Sequence, residues 1–405
     1  GATGEYANRT KELPAGTYTP ARYMEGIGAT LRAPPIWNLN LVSLPDPPRQ
    51  LDTLRGMAVP VEYLELGNEV ADKPLEPYLT TAVPVVARAR KLFPNATISV
   101  IGCFGLDWST CAPSLRRAHE ATPRLFDAVT LHQYAPTNKS IAAHAKTDAD
   151  LRSATLALVG PSLVAMESKV AADIGTGVPI WLDEFNWGGD WAGVTWPGEG
   201  HGGLRGLLWA AYVLGAVDVT ETARAGGRVG FDSLNYYSLF YQDGNDWSRW
   251  AACAAVSNQA NQASAVHFDG VSQIVAHINA VAFTEGHTTV TTLRDLTPSK
   301  VPPRLQVGDH SCAVAAAFSG GARGTTYVVL NICPGTVAAT LPTSASSHLY
   351  YSGFDNAGWT AADDIGSLEA PPWISGPLAV HTMAVGAAES TTLTLPPVSL
   401  SILHE

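Results

Sequence analysis

The sequence predicts an α/β domain built on a parallel sheet, followed by an antiparallel β-sandwich. Three observations predict it. Through about residue 300, short β-rich apolar runs alternate with helical stretches, the pattern of strands joined by helical crossovers. Polar residues gather at the C-terminal ends of those runs, as Asn68-Glu69, His132-Gln133-Tyr134 and Asp183-Glu184-Phe185-Asn186. From about residue 286 the texture changes to Val-, Thr- and Ala-rich runs broken by Gly, Pro and Ser, which reads as short sandwich strands. The expected domains are 1–285 and 286–405.

In chain order, a helix is expected over Thr19–Leu31 and a first strand over Pro35–Leu41. Further strands follow at Val61–Leu66, Thr97–Gly102, Ala128–Tyr134, Pro179–Phe185 and Ser233–Tyr241. Helical patterns separate them at Leu75–Phe93, Asp148–Asp173, Gly202–Val217 and Phe268–Phe283. The sandwich strands are placed at His287–Leu293, Ala313–Phe318, Thr325–Ile332, Leu378–Val385 and Leu393–Ile402.

Composition narrows the function classes. Hydrophobic residues make up 46% of the 405 and charged residues 15%, enough apolar content for a large core. A net charge of -11 argues against nucleic acid or an anionic membrane as partner. No stretch reaches the roughly 20 apolar residues that a membrane span needs. None of the five Cys has the close spacing of a zinc site, and no cofactor is expected. Local disulfides are expected for Cys103 with Cys111 and for Cys312 with Cys333, leaving Cys253 over. Three glycosylation sequons begin at Asn8, Asn95 and Asn138; with the disulfides they favour a secreted or lysosomal-type location.

The chemistry concentrates at two strand ends. Val61–Leu66 runs into Gly67-Asn68-Glu69, where Gly67 permits a sharp turn and Glu69 supplies an acid at the rim. Ile180–Leu182 runs into Asp183-Glu184-Phe185-Asn186. Two carboxyls from distant strands are what glycosidic hydrolysis requires. One protonates the leaving oxygen, and the other attacks or activates water.

These residues resemble the fourth- and seventh-strand signatures of glycoside hydrolase clan A. Leu131-His132-Gln133-Tyr134 is similar to the His-x-Tyr pair of that clan's sixth strand, and Leu395–Leu400 to the last strand of its accessory sandwich. Leu64–Glu69 looks most like the heparanase and β-glucuronidase family, whereas Asp183–Asn186 looks more like the α-L-arabinofuranosidases. The resemblance implies a (β/α)8 TIM-type barrel, with Glu69 as acid/base and Glu184 as nucleophile. It further implies that Asn68 binds a sugar hydroxyl, that Tyr134 hydrogen-bonds Glu184 and that His132 lines the same floor.

One strand precedes Val61–Leu66 where the clan has three. The resemblance therefore implies a light chain or further N-terminal segment that completes the barrel. Around the site, Trp187, Trp191 and Trp196 are candidate stacking walls for an oligo- or polysaccharide, and Tyr236 with Tyr237 a platform. His201 and Arg205 are candidates for meeting a sugar carboxylate. Glu62 and Glu65 are expected to be solvated or paired on other phases of the strand. Asp183 is expected to cap the strand end or support the site, and Asn186 to shape the loop. The reading is a retaining hydrolase leaning to β-glucuronides, with arabinofuranosides second. A rival of another class is a catalytically inactive glycan-binding glycoprotein.

Overall fold

The structure is a computed structural model. It describes residues 35–41, 46–57, 59–69, 75–103, 107–122, 124–135, 148–187 and 203–236. In the C-terminal part it describes 253–259, 262–268, 289–292, 306–307, 313–321, 324–341, 347–352, 379–383 and 391–404. Six strands form one sheet in sequence order: β1 (Ile36–Leu39), β2 (Tyr63–Leu66), β3 (Thr97–Ile101), β4 (Ala128–Ala135), β5 (Ile180–Trp187) and β6 (Phe231–Tyr236). The pairs β1–β2, β2–β3 and β3–β4 are parallel. Connecting helices are α1 (Arg49–Gly56), α2 (Leu75–Leu92), α3 (Trp108–Ala121), α4 (Asp148–Asp173) and α5 (Gly203–Ala225). This is the expected parallel α/β sheet with helical crossovers. Among the described residues the sheet has six strands.

Two compact units emerge from the chain, one made of Gly1–His132, Glu167–Asp183 and Gly227–Ser233, the other of the remainder. In the first, the strands are buried on both faces, as parallel strands under helices must be. Leu64, Leu66, Ile98, Val100, Ala128 and Val129 are fully buried. At the strand starts, Arg90 of α2 pairs with Asp127 at 2.7 Å, and Asp127 Oδ2 accepts from Ile98 N at 2.9 Å. At the other end, Gly102 N donates to Thr130 O at 2.8 Å. A side chain on Gly102 would meet Val129 Cγ1 at 2.5 Å and Leu131 Cδ2 at 2.6 Å, so only glycine lets β3 and β4 stay this close. The Cys103–Cys111 disulfide ties that end of β3 to α3.

The second unit contains a β-sandwich. Its six-stranded antiparallel sheet runs β15 (Ala379–Met383), β14 (Ser347–Ser352), β17 (Ser399–His404), β12 (Gly324–Asn331), β11 (Ala313–Gly321) and β9 (Thr289–Thr292). A three-stranded sheet runs β10 (Gln306–Val307), β13 (Val337–Leu341) and β16 (Thr391–Leu395). Ala317, Tyr327, Val329, Val337, Ala339, Leu395 and Leu403 pack as one buried cluster between the sheets. The alternate residues Ala316, Phe318, Val328, Leu330, Leu400 and Ile402 are equally buried on the other face. Helix α5 packs there, against β9, β11, β12 and β17.

Several expectations change. The run Leu393–Ile402 is two strands, because Pro396-Pro397 breaks the ladder between them. Phe268 ends a strand, β8 (Gln262–Phe268), which pairs antiparallel with β7 (Cys253–Gln259); the rest of the helix expected there lies outside the described residues. So do the 19–31 helix, Asn8, Asn138 and Cys312. Cys333 is disulfide-bonded. Among the described residues, no helix is long and apolar enough to cross a membrane.

Candidate functional site

The first half of the site is built where β2 ends. Gly67 has φ 90, and Glu69 itself has φ 30 in the left-handed region that side-chain-bearing residues avoid. Such a residue costs about 1–3 kcal/mol and persists only where its surroundings hold it. They do so here. Tyr78 Oη of α2 donates to Leu66 O at 2.7 Å and accepts from Ile101 N at 3.2 Å, locking the ends of β2 and β3. Burial pushes the Tyr78 hydroxyl well above its ordinary range, so it stays a donor. His132, projecting from β4, shares a hydrogen bond between Nδ1 and Glu69 Oε1 at 3.0 Å. The His132 side chain is 2% exposed and that of Glu69 33%. The acid therefore opens outward while the imidazole beneath it is sealed. Asn68 is exposed in the turn between Gly67 and Glu69.

A second group of candidate residues belongs to the other unit. Tyr134, also on β4, donates from Oη to Glu184 Oε2 at 2.5 Å. Phe185 is fully buried and packs against Tyr212 of α5, with ring centroids 4.7 Å apart. Tyr212 Oη in turn donates to Gln133 O at 3.4 Å. Trp187 ends β5 and Tyr236 ends β6. Their side chains, with that of Asn186, lie outside the described residues, as do Trp191, Trp196, His201, Tyr237 and the side chain of Arg205.

Solved structures with a similar fold exist. An α-L-arabinofuranosidase of family GH51 from Thermotoga petrophila aligns over 96% of this chain and 78% of its own, at TM-score 0.58 and 14% identity. A family 51 α-L-arabinofuranosidase from Bifidobacterium longum aligns over 95% and 78%, at TM-score 0.60 and 13% identity. An arabinose complex of the Thermotoga maritima α-L-arabinofuranosidase gives 96%, 78%, 0.57 and 13%. The fold is similar to that of solved α-L-arabinofuranosidases. At such identities the likeness is one of fold alone. No protein-family model matches the sequence, and no curated protein does.

Within that fold, one acid sits where strand patterning did not place it. Glu65 is 1% exposed, whereas Glu62, three residues earlier, is exposed. Of the expectation that Glu65 is solvated or paired, the second holds, but its placing on another strand phase from Glu69 does not. Alternation puts residues 65, 67 and 69 on one phase, and Glu65 pairs in register with Asn38 of β1. Asn38 Nδ2 donates to Glu65 Oε2 at 2.8 Å and to Gly67 O at 2.9 Å. The polar layer continues across the sheet through Ser99 and Thr130, both buried and hydrogen-bonded at 2.8 Å.

Glu65, His132 and Asp183 each bring one possible ligand atom to within 4.8 Å of the others. The donor set would suit a divalent cation in type. However, a metal ligand must be deprotonated, and burial together with the Asp183 carboxyl holds Glu65 well above the usual carboxylate range. Among the described residues this buried acid is the site feature that sequence patterning missed. Its only sequence signal is a carboxylate inside a strand whose neighbours Leu64 and Leu66 are both apolar.

Proposed function

We propose that the chain is a retaining glycoside hydrolase, with Glu69 as general acid/base and Glu184 as nucleophile. One observation carries this reading. His132 and Tyr134 stand two residues apart on β4, so alternation puts both side chains on one face, anchored about 7 Å apart. His132 bonds the Glu69 carboxyl and Tyr134 bonds Glu184. Double displacement needs two carboxyls about 5–5.5 Å apart, and strand β4 offers each of the two a partner.

The chemistry follows from those contacts. Glu69 protonates the leaving oxygen while Glu184, held by Tyr134, attacks the anomeric carbon. Glu69, now a carboxylate, then takes a proton from water as that water releases the sugar. With Oε1 held by His132 Nδ1–H, Glu69 keeps Oε2 for the proton that passes to the leaving oxygen in the first step and returns from water in the second. No cofactor enters. The six strands belong, in this reading, to a (β/α)8 barrel, and residues 286–405 form its accessory sandwich. The exposed turn residue Asn95 suits a glycan on a secreted chain.

An arabinofuranoside is the substrate class to test first, because the solved structures of similar fold are α-L-arabinofuranosidases. A β-glucuronide is second, favoured by the heparanase-like Leu64–Glu69. The test is a panel of aryl glycosides that includes both. Glu184→Gln is expected to abolish turnover. Glu69→Ala is expected to lose about 10²–10⁴-fold on poor leaving groups, and azide should restore its turnover of activated ones. Undiminished hydrolysis in Glu184→Gln would remove the nucleophile assignment. A fully inert wild-type chain that still binds glycans would favour the inactive glycoprotein.

A further inference from the structure

Four residues before Glu69, Glu65 has no aqueous contact and an incomplete set of partners. Its Oε2 accepts from Asn38, but its Oε1 is buried and accepts no hydrogen bond. A carboxylate so placed leaves a charge in a dry interior, at a cost of several kcal/mol. A carboxylic acid with its proton on Oε1 has no such deficit, because that oxygen then needs an acceptor. Asp183 of β5 is the acceptor at hand, within the same 4.8 Å cluster as His132. The direction of the Glu65 titration agrees, with burial the largest cause and the Asp183 charge the next.

We propose that Glu65 is a positioning residue, a neutral acid whose proton clamps the Asp183 carboxylate, so that the pair presents one negative charge to His132. That charge biases the imidazole that bonds Glu69, and so sets the pH range over which the Glu69 end of the site works. This rests on the glycosidase reading given above. The groups around the pair are His132 from β4 and the Tyr78 phenol from α2, with Asn38 and Thr130 as neutral partners. Beyond His132 stands Glu69. Glu184 meets β4 two residues farther on, at Tyr134.

The sign of the stability effect follows from linkage. The folded state holds the Glu65 proton more tightly than the unfolded chain does. Its contribution is fully present below the unfolded titration at about pH 4 and is lost as pH rises through the folded one. Glu65→Gln keeps a donor toward Asp183 and an acceptor for Asn38, without the titration. The full-length wild type, Glu65→Gln, Asp183→Asn and the double variant are therefore compared in three measurements. In infrared spectra at neutral pH, wild type should show a protonated-carboxyl band that Glu65→Gln lacks. In thermal melts, the stability of wild type relative to Glu65→Gln should fall with rising pH above about 4. In kinetics, Glu65→Gln, which still faces Asp183 with a neutral donor, should leave the basic limb of the kcat/KM profile in place. Asp183→Asn and the double variant should both move its basic limb to lower pH, because a nearby negative charge is gone.

A wild type lacking the infrared band, or a melting difference flat in pH, overturns the proposal without any use of activity. A pH profile that Glu65→Gln shifts as far as Asp183→Asn does overturns it too, since Glu65 would then carry charge. If the chain hydrolyses no glycoside, the infrared and melting results still decide the proton's location, and the loss falls on the hydrolase reading alone.

Discussion

At the scale of single residues, each candidate acid is held by one neighbour of the kind its task requires. Glu69 meets an imidazole nitrogen at 3.0 Å, and Glu184 meets a phenol that donates to it. A hydrogen bond to a charged group is worth about 1.5–3 kcal/mol, and each 1.36 kcal/mol of barrier is about tenfold in rate. Tyr134→Phe keeps the ring and removes only the hydroxyl. Its kcat on an aryl glycoside is expected to fall about 10- to 100-fold, with KM little changed and the melting temperature near wild type. A rate within twofold of wild type would mean that the hydroxyl does no work at Glu184. These four residues were legible in the sequence because each ends or interrupts an apolar strand run. Glu65 was not, because its meaning depends on Asn38 and Asp183, 27 residues before it and 118 after it in the chain. Only the register of β1 on β2 and the approach of β5 bring those partners to it.

At the scale of elements, the sheet was legible and its edges of detail were not. All six strands were expected within a few residues of where they lie, since buried parallel strands are unbroken β-rich runs. Helix α1 was missed because it has eight residues and only two buried leucines, Leu51 and Leu54, too few to show a period. Helix α3 was missed because Cys111, Ala112 and Leu115 are its only buried residues, too few to show a period. Its start is nonetheless signalled by Asp107, whose side chain accepts from Ser109 N. Gly102 sits at the join of β3 to that loop, beside Leu131 and one residue from the His132 position. Gly102→Ala forces Val129, Leu131 or the Thr130 carbonyl to move. Overpacking of this kind costs about 1–3 kcal/mol. The expected result is a lower melting temperature together with a lower kcat, because the strand that moves is the one carrying His132 and Tyr134. A variant with wild-type melting and activity would show that β4 yields there without consequence.

At the scale of the whole molecule, the expected split into 1–285 and 286–405 meets a helix that belongs to both. Helix α5 is apolar almost all round: Leu207, Leu208, Trp209, Ala210, Tyr212, Val213 and Leu214 are all buried. A helix with no polar face needs cover on every side. Tyr212 finds it against Phe185 of β5. The large sandwich sheet supplies the rest, through β9, β11, β12 and β17. The same contact explains why β12 is buried without alternation from Thr325 to Asn331, when a two-layer sandwich would leave its outer face wet. Each large apolar side chain uncovered costs about 1.5–3 kcal/mol, so loss of the sandwich exceeds the 5–15 kcal/mol by which domains are usually stable. A chain ending at residue 285 is therefore expected to be insoluble or to bind hydrophobic dyes, and to be inactive. Val328→Asp, which puts a charge on the sheet face toward α5, is expected to destabilise the full chain by several kcal/mol while leaving the sheet-to-sheet cluster untouched. Its fall in melting temperature should be matched by loss of the Tyr212–Phe185 packing, read as a change in near-ultraviolet dichroism. A soluble and active 1–285 fragment would show instead that α5 closes on the strand sheet alone, and that the sandwich is an appendage.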